Sequence, residues 1–201
     1  MITEMKKRKY TQKRRADKQQ QTRERIIDAA MFLHEKLGPA ATTISALAEH
    51  AGVQRLTVYR HFENEEELFN ACTTKWLGQN PPPGLPENNS AGPADRTHTF
   101  LLSLYRYYRR TRKMWTVAYR DVEQVPALSG PMKGFNDYLA AIAGELAAGW
   151  SVQNSKRLQL TLGHAVRFAT WRSLSEQKLS DRVMADLVCR WVRAVADDSS
   201  L

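Results

Sequence analysis

Residues 43–68, TISALAEHAGVQRLTVYRHFENEEEL, decide the fold of this chain. The first part of this stretch repeats apolar residues every three or four positions: Ile44, Leu47, Ala48 and Ala51. This spacing predicts a short amphipathic helix, and Thr43 before it is a capping hydroxyl. Gly52 follows at the point where a sharp turn between two helices needs a residue that tolerates positive φ.

A second helix is predicted after the turn, with Val58 and Phe62 facing inward. Ala48 is small where the two helices must approach each other closely. Asn64 and Glu67 then form a capping box that starts a further helix. A small helical hairpin would explain each feature singly, but together with a basic flank they indicate a DNA-binding helix-turn-helix. The residues expected to contact DNA are Thr43, Ser45, Arg55, Leu56, Thr57, Tyr59, Arg60 and His61.

The order of residues in this stretch also resembles the TetR family of bacterial transcriptional regulators. The matching segments are 41–44 (ATTI), 47–48 (LA), 51–53 (AGV), 57–62 (TVYRHF) and 67–68 (EL), within about residues 25–76. The resemblance implies an all-α fold, in which an N-terminal helix-turn-helix domain is followed by a helical ligand-binding and dimerisation domain. It also implies a homodimer that binds a palindromic operator in double-stranded DNA. Two residues depart from the family pattern: Gln54 replaces a capping serine, and Glu65 replaces a lysine that contacts phosphate.

The composition is that of one or two small domains with a sizeable core, because 42% of the 201 residues are apolar. No apolar run approaches the roughly 18 residues of a membrane span, and no hydrophobic segment follows the basic start as in a secretory signal. Cys72 and Cys189 have neither metal-ligand spacing nor a disulfide framework, so we expect two buried thiols in a cytoplasmic protein. A redox sensor is the alternative reading of these cysteines.

The positive charge is concentrated at the N-terminus. Residues 1–25 contain ten Lys or Arg and three acidic residues, out of a net charge of +9 for the chain. We expect residues 1–20 to be a disordered basic arm that follows the DNA backbone or enters a minor groove. A tail that only increases solubility is the alternative.

The rest of the chain is predicted to be helical, with about nine helices in all. We expect the DNA-binding domain with its connecting fourth helix at residues 21–77, a Pro- and Gly-rich loop at 78–95, and a helical domain at 96–201. The connecting helix is expected to be the only helix that leads from the DNA reader toward the second domain. Outside residues 43–61, helices are expected at 22–37, 64–77, 95–112, 114–120, 131–150, 155–174 and 180–196.

The last two predicted helices are apolar on two sides, which requires two packing partners. One partner is the core of the domain, and the other is most simply the same helix pair from a second copy. The interface residues expected from this pattern are Leu158, Leu162, Ala165, Ala169, Met184, Val188, Trp191 and Val195.

Catalysis has little support in the sequence, which contains no GxSxG, HExxH, P-loop or GxGxxG motif. The five histidines have no metal-ligand spacing, so neither a metal nor a cofactor is expected. Aromatic residues from several helices of the second domain predict either a tight core or a ligand pocket. The residues expected to line such a pocket are Tyr105, Tyr108, Trp115, Tyr119, Phe135, Tyr138, His164, Phe168 and Trp171.

These features lead to two hypotheses for the function. The first is a transcriptional repressor that is released from its operator by a small apolar or aromatic effector. The second is a constitutive or architectural DNA-binding dimer without a small-molecule ligand. A cavity in the C-terminal helices would favour the first.

Overall fold

The computed structural model describes residues 2–87, 92–150 and 155–198, with side chains in the ranges 12–87, 92–150 and 156–198. This part of the chain contains nine α-helices and no strand, which confirms the predicted all-α class. Short 3-10 turns lie at Pro39–Ala41 and Pro126–Leu128. The α-helices are α1 (Ile2–Leu37), α2 (Ile44–His50), α3 (Arg55–His61), α4 (Glu65–Gln79), α5 (Gly92–Asp121), α6 (Ser129–Ala148), α7 (Ser155–Ala165), α8 (Phe168–Glu176) and α9 (Asp181–Asp197).

The helices form two compact units. The first comprises Met1–Gln79 and Thr116–Ser129, and the second comprises Asn80–Trp115 and Gly130–Leu201. The sequence interpretation had placed all of residues 96–201 in one domain, whereas residues 116–129 group with the DNA-binding helices. Helix α5 therefore contributes residues to both units, and the prediction that only the fourth helix leads away from the DNA reader was wrong.

The N-terminal arm differs from its prediction because residues 2–20 are helical and continue directly into the rest of α1. No Gly or Pro interrupts residues 2–37, and Lys, Arg, Gln and Ala are good helix formers. The side chains of residues 12–21 are all exposed. Helix propensity, without packing, thus accounts for the helical form of residues 12–21.

Two helix boundaries in the second half also differ from the sequence prediction. The helices expected at 95–112 and 114–120 are one helix, α5, because nothing between them breaks a helix. The helix expected at 155–174 is divided into α7 and α8. Residues 88–91 of the predicted loop and residues 151–154 before α7 lie outside the described residues.

The break between α7 and α8 leaves backbone carbonyls without a hydrogen-bond partner inside a helix, and side-chain hydroxyls donate to them instead. The Tyr105 hydroxyl donates to the Ala165 carbonyl at 2.9 Å, and the Tyr108 hydroxyl donates to the Val166 carbonyl at 2.7 Å. Thr170 also donates its hydroxyl hydrogen to the carbonyl of His164. Because the last carbonyls of a helix have no partner within it, these hydrogen bonds stabilise the end of α7.

The core of the first unit is formed by α1, α2, α3 and α4. Its buried side chains include Ile26, Leu47, Val58, Phe62 and Cys72. Burial raises the pKa of the Cys72 thiol to about 12, and the pKa of Cys189 in the second unit is shifted in the same way. Both cysteines are free and buried, as the sequence predicted, and neither thiol ionises near neutral pH.

The last residues of α5 belong to the first unit and contact the segment after α1. The backbone N–H of Ala40 donates to Asp121 Oδ2 at 3.0 Å, and Arg120 Nη2 donates to the Leu37 carbonyl at 2.9 Å. The Arg120 guanidinium, together with the N–H of Ala40, holds the pKa of the Asp121 carboxyl below its usual value, against the effect of burial. Gly38, at φ +96° and ψ 155°, lies against this pair of side chains.

Candidate nucleic-acid interface

The turn between α2 and α3 forms as the sequence predicts. Thr43 is the N-cap of α2, and its hydroxyl oxygen accepts a hydrogen bond from the backbone N–H of Ala46 at 3.1 Å. After α2, Gly52 has φ +63°, a conformation that side chains with a Cβ rarely adopt. The N–H of Val53 donates to the Ala48 carbonyl at 2.9 Å and closes the turn.

The orientation of α3 is set by its buried face. Val58 and Phe62 are buried against α1, α2 and α4, and Ala48 is buried at the crossing with α2. Gln54 is the N-cap of α3 and makes no side-chain capping hydrogen bond, so it does not replace the cap of the serine in the family pattern. With one face of α3 held in the core, its remaining side chains point into solvent.

Helix α4 begins directly after α3 with the predicted cap. Asn64 Oδ1 accepts from the N–H of Glu67 at 2.8 Å. The Glu67 carboxylate accepts from the N–H of Glu63 at 2.9 Å, so it reaches one residue beyond the capping asparagine. These two hydrogen bonds satisfy donors at the start of α4 and fix the short connection after α3.

The residues predicted to contact DNA are all accessible, and we call them together the reading surface. Its members are exposed or half-buried, and none lies in the core: Thr43, Ser45, Arg55, Leu56, Thr57, Tyr59, Arg60 and His61. Leu56 is a large apolar side chain that is 66% exposed. Within this surface Arg60 Nη2 donates to Thr57 Oγ1 at 3.0 Å, which orients the guanidinium along α3.

The charges beside the reading surface affect His61. Burial, and then the positive charges of Arg23 and Arg60, lower the pKa of the His61 imidazole below its usual value. His61 is therefore neutral at pH 7 and offers a hydrogen bond rather than a positive charge. Arg23 lies over the Phe62 ring at 4.6 Å from its centroid and pairs with Glu67 at 3.4 Å, so it links α1 to α3 and α4.

The aromatic residues predicted to line a ligand pocket are largely brought together in the second unit. Trp115 stacks on Phe135 with ring centroids 4.0 Å apart, and Tyr108 contacts both Phe168 and Trp171. These five rings are buried, as is Tyr105. They pack against one another and form an aromatic cluster. This arrangement is the tight core that the sequence analysis gave as the alternative to a ligand pocket.

Two of the predicted pocket residues lie elsewhere. Tyr119 belongs to the first unit, because α5 crosses from one unit to the other after Trp115. His164 is exposed near the end of α7. Tyr138 is half-buried at the edge of the cluster, with its ring centroid 6.5 Å from that of Phe135 and its hydroxyl donating to the Pro83 carbonyl at 2.7 Å. The sequence interpretation also missed Tyr107, a buried ring that contacts Trp115 and Phe135. Its spacing from Leu104 and Thr111 would have indicated a buried position.

The residues predicted for a dimer interface are mostly inside a single chain. Five of them are at most 1% exposed and cannot meet a second copy: Leu158, Leu162, Ala165, Met184 and Val188. Ala169 is exposed and Val195 is half-buried. Large apolar side chains that do remain accessible on α7 and α9 are Leu160, Val183 and Trp191, with exposed fractions of 66%, 48% and 40%. Most residues of the predicted stripes therefore belong to the core, and Trp191 is the large apolar residue of the predicted set that stays exposed.

The fold and the reading surface define the class of this molecule: it is a helix-turn-helix DNA-binding protein. Residues 26–72 match the family described as bacterial regulatory proteins, tetR family. The chain therefore carries the DNA-binding domain of TetR-family transcriptional regulators.

Similar proteins carry names that agree with this family. The HTH-type transcriptional regulator TtgR of Pseudomonas putida is 44% identical over 59 residues, which are 29% of this chain and 28% of that protein. The tetracycline repressor protein class A from transposon 1721 of Escherichia coli is 30% identical over 106 residues, or 53% of this chain and 45% of that protein. The chain thus spans between about a quarter and a half of the length of these relatives. Both are named as a regulator or a repressor, and neither as an enzyme.

Solved structures resemble the whole chain more evenly. A TetR-like transcriptional regulator from Rhodococcus sp. RHA1 has a TM-score of 0.61 at 21% identity, and the match covers 88% of this chain and 97% of that one. This likeness concerns the fold. Within residues 2–87, 92–150 and 155–198, every helix is either too short or too polar for a membrane span.

Proposed function

We propose that this protein is a sequence-specific DNA-binding repressor that acts as a symmetric dimer on a palindromic operator. The observation that carries the proposal is the exposed N-terminal turn of α3, which presents Arg55, Leu56 and Thr57 beside the buried Val58. A recognition helix contacts base edges with its N-terminal residues in the major groove. An arginine can bind guanine with two parallel hydrogen bonds, while leucine and the threonine methyl suit the methyl group of thymine.

The other members of the reading surface are better suited to phosphate contacts, which position the protein without reading sequence. Thr43 and Ser45 flank the start of α2, and Tyr59, Arg60 and His61 follow the reading turn of α3. The basic side chains of residues 12–18 on α1 add to this contact through counterion release. As a helix, this segment of α1 can follow the DNA backbone, and it contributes affinity with little specificity.

Arg55→Ala tests the assignment of base reading to α3. We expect it to weaken operator binding by about 1–3 kcal/mol and to relax the preference at one base pair, with little change on random DNA. Arg60→Ala is the matched control, because loss of a phosphate contact should weaken binding to both DNAs by a similar factor. Fluorescence anisotropy on operator and random duplexes at one salt concentration measures both. Equal losses on the two DNAs for Arg55→Ala would assign it to the backbone.

An effector that releases the operator is the finer part of the proposal. The aromatic cluster of the second unit supports an effector that is apolar or aromatic. Flat rings from α5, α6 and α8 present faces on which another ring can stack. Since these rings contact one another, the effector must separate them, and only a molecule that favours the separated state shifts the equilibrium. The alternative is a constitutive DNA-binding dimer, which the close packing of the same rings favours.

A panel of small aromatic compounds distinguishes these two functions. For a ligand-responsive repressor we expect at least one compound to weaken operator binding by about 5–150-fold, the usual range of allosteric coupling. Phe135→Leu should reduce that response while leaving operator affinity without the compound unchanged, because Phe135 belongs to the second unit and is not part of the reading surface. Anisotropy of the operator complex during titration gives both values. A panel without any response supports the constitutive dimer.

A further inference from the structure

A cavity of about 300 Å³ lies within the first unit, apart from the aromatic cluster. Its wall is formed by α1, α2, α4 and the two 3-10 turns, and its apolar members include Leu47, Phe69 and Val125. Its polar members include His34, Thr43 and Glu65. A volume near 300 Å³ is at the lower end of the range for small-molecule sites.

His34 is the unusual member of this wall. Its side chain is only 6% exposed, and its ring stacks on Phe69 with centroids 4.8 Å apart. The imidazole also lines the cavity, and a neutral imidazole has one nitrogen that donates a hydrogen bond and one that accepts. It is thus a polar group available to a molecule in the cavity.

The charge of the wall indicates what kind of molecule fits. Burial lowers the pKa of His34 to about 4, although Asp121 opposes the shift, so the imidazole is neutral at pH 7 and offers one donor and one acceptor. Glu65 is an exposed carboxylate at the start of α4, and no Lys or Arg lines the described wall. The Glu65 carboxylate would repel an anion in the cavity. A cation would be attracted to this carboxylate and could donate a hydrogen bond to the neutral His34 imidazole.

We propose that this cavity is a binding site for a small organic cation with a flat apolar body. The body lies against Leu47 and Phe69, and the cationic group contacts Glu65 while an N–H donates to His34. The site is separate from the effector site proposed above, because it belongs to the DNA-binding unit. It also does not depend on the DNA-binding proposal, since occupancy is measured on the free protein.

Titration of the full chain with benzamidine tests the site. Benzyl alcohol and benzoate serve as matched probes, because they keep the ring and change the charge to neutral and negative. We expect benzamidine to shift the NMR resonances of the His34 ring saturably, and to bind about two- to fivefold more tightly than benzyl alcohol, the increment of a partly exposed ion pair. Benzoate should bind more weakly than both. Unchanged His34 resonances, or equal affinity for benzoate, would overturn the proposal.

Glu65→Gln and Glu66→Gln form a matched pair of variants. Both residues are exposed in the first turn of α4, but only Glu65 lines the described wall of the cavity. Glu65→Gln should lower the affinity for benzamidine to that for benzyl alcohol, about a two- to fivefold loss, and Glu66→Gln should leave it unchanged. A loss of the same size in both variants would show a diffuse effect of surface charge and contradict the site.

Discussion

Replacing Trp191 with glutamate is expected to convert the proposed dimer to monomers and to abolish specific operator binding. Trp191 is 40% exposed on α9, and Val183 on the same helix and Leu160 on α7 are also accessible. Large apolar side chains that a single chain does not bury are candidates for an interface with a second copy. A charge placed among them would have to be buried without a partner when two copies associate, which is strongly unfavourable.

The loss of DNA binding follows from the geometry of a palindrome. A dimer places two recognition helices about 34–36 Å apart, so that both enter the major groove of their half-sites. A monomer keeps one half-site only. We expect its affinity for the operator to fall to that for random DNA, about a thousandfold or more.

Light scattering measures the mass of the variant, and anisotropy measures its operator affinity. Arg193→Gln is the matched control, because it lowers the net charge by the same one unit from another exposed position on α9. It should remain dimeric and bind the operator. If the Trp191→Glu protein is still a dimer, the interface does not include the accessible apolar residues of α9.

Gly38→Ala is expected to lower the free energy of unfolding by about 2–6 kcal/mol, from two sources of about 1–3 kcal/mol each. The first is backbone strain, because Gly38 has φ +96° and ψ 155°, a region of the backbone map that is essentially restricted to glycine. The second is steric, because a Cβ at this position would overlap Arg120 Nη2 and Asp121 Oδ2. Arg120 is half exposed and can move, but the Asp121 carboxylate is 2% exposed and is held by the N–H of Ala40.

Gly52→Ala is the control for this substitution. Gly52 also has positive φ, at +63°, but no atom lies within 4 Å of a Cβ built there. Gly52→Ala should therefore lower the free energy of unfolding by about 1–2 kcal/mol, the cost of the left-handed backbone conformation alone. Urea denaturation followed by circular dichroism gives both free energies. Equal losses in the two variants would mean that the contact of Gly38 with Asp121 adds nothing to stability.

The sequence alone predicted the helix-turn-helix in detail. The cap at Thr43, the positive φ of Gly52, the buried Val58 and Phe62 and the cap at Asn64 are all present in the structure. These features depend on hydrogen bonds and packing between residues close together in the chain. Local features of this kind can be predicted from the order of residues, because each backbone conformation favours particular residue types.

The partners of the other apolar faces were not determined by the sequence. Met184 and Val188 were assigned to a dimer interface, but both are buried within one chain. A repeat of apolar residues every three to four positions shows that one face of a helix is apolar. It does not show what covers that face, since the core of the domain and a second copy of the chain are equally apolar. The same limit applies to Phe135 and Phe168, which were predicted to face a ligand but contact other rings.

Residues 43–68 by themselves thus determined the helix-turn-helix and which of its side chains are accessible. Only the tertiary structure decided that α5 continues without a break, and that Asp121 at its end binds Ala40. It also decided that His34 lines a cavity inside the DNA-binding unit. These contacts join residues that are far apart in the chain or that come from several helices. No local pattern specifies such pairs, because they depend on how whole helices pack.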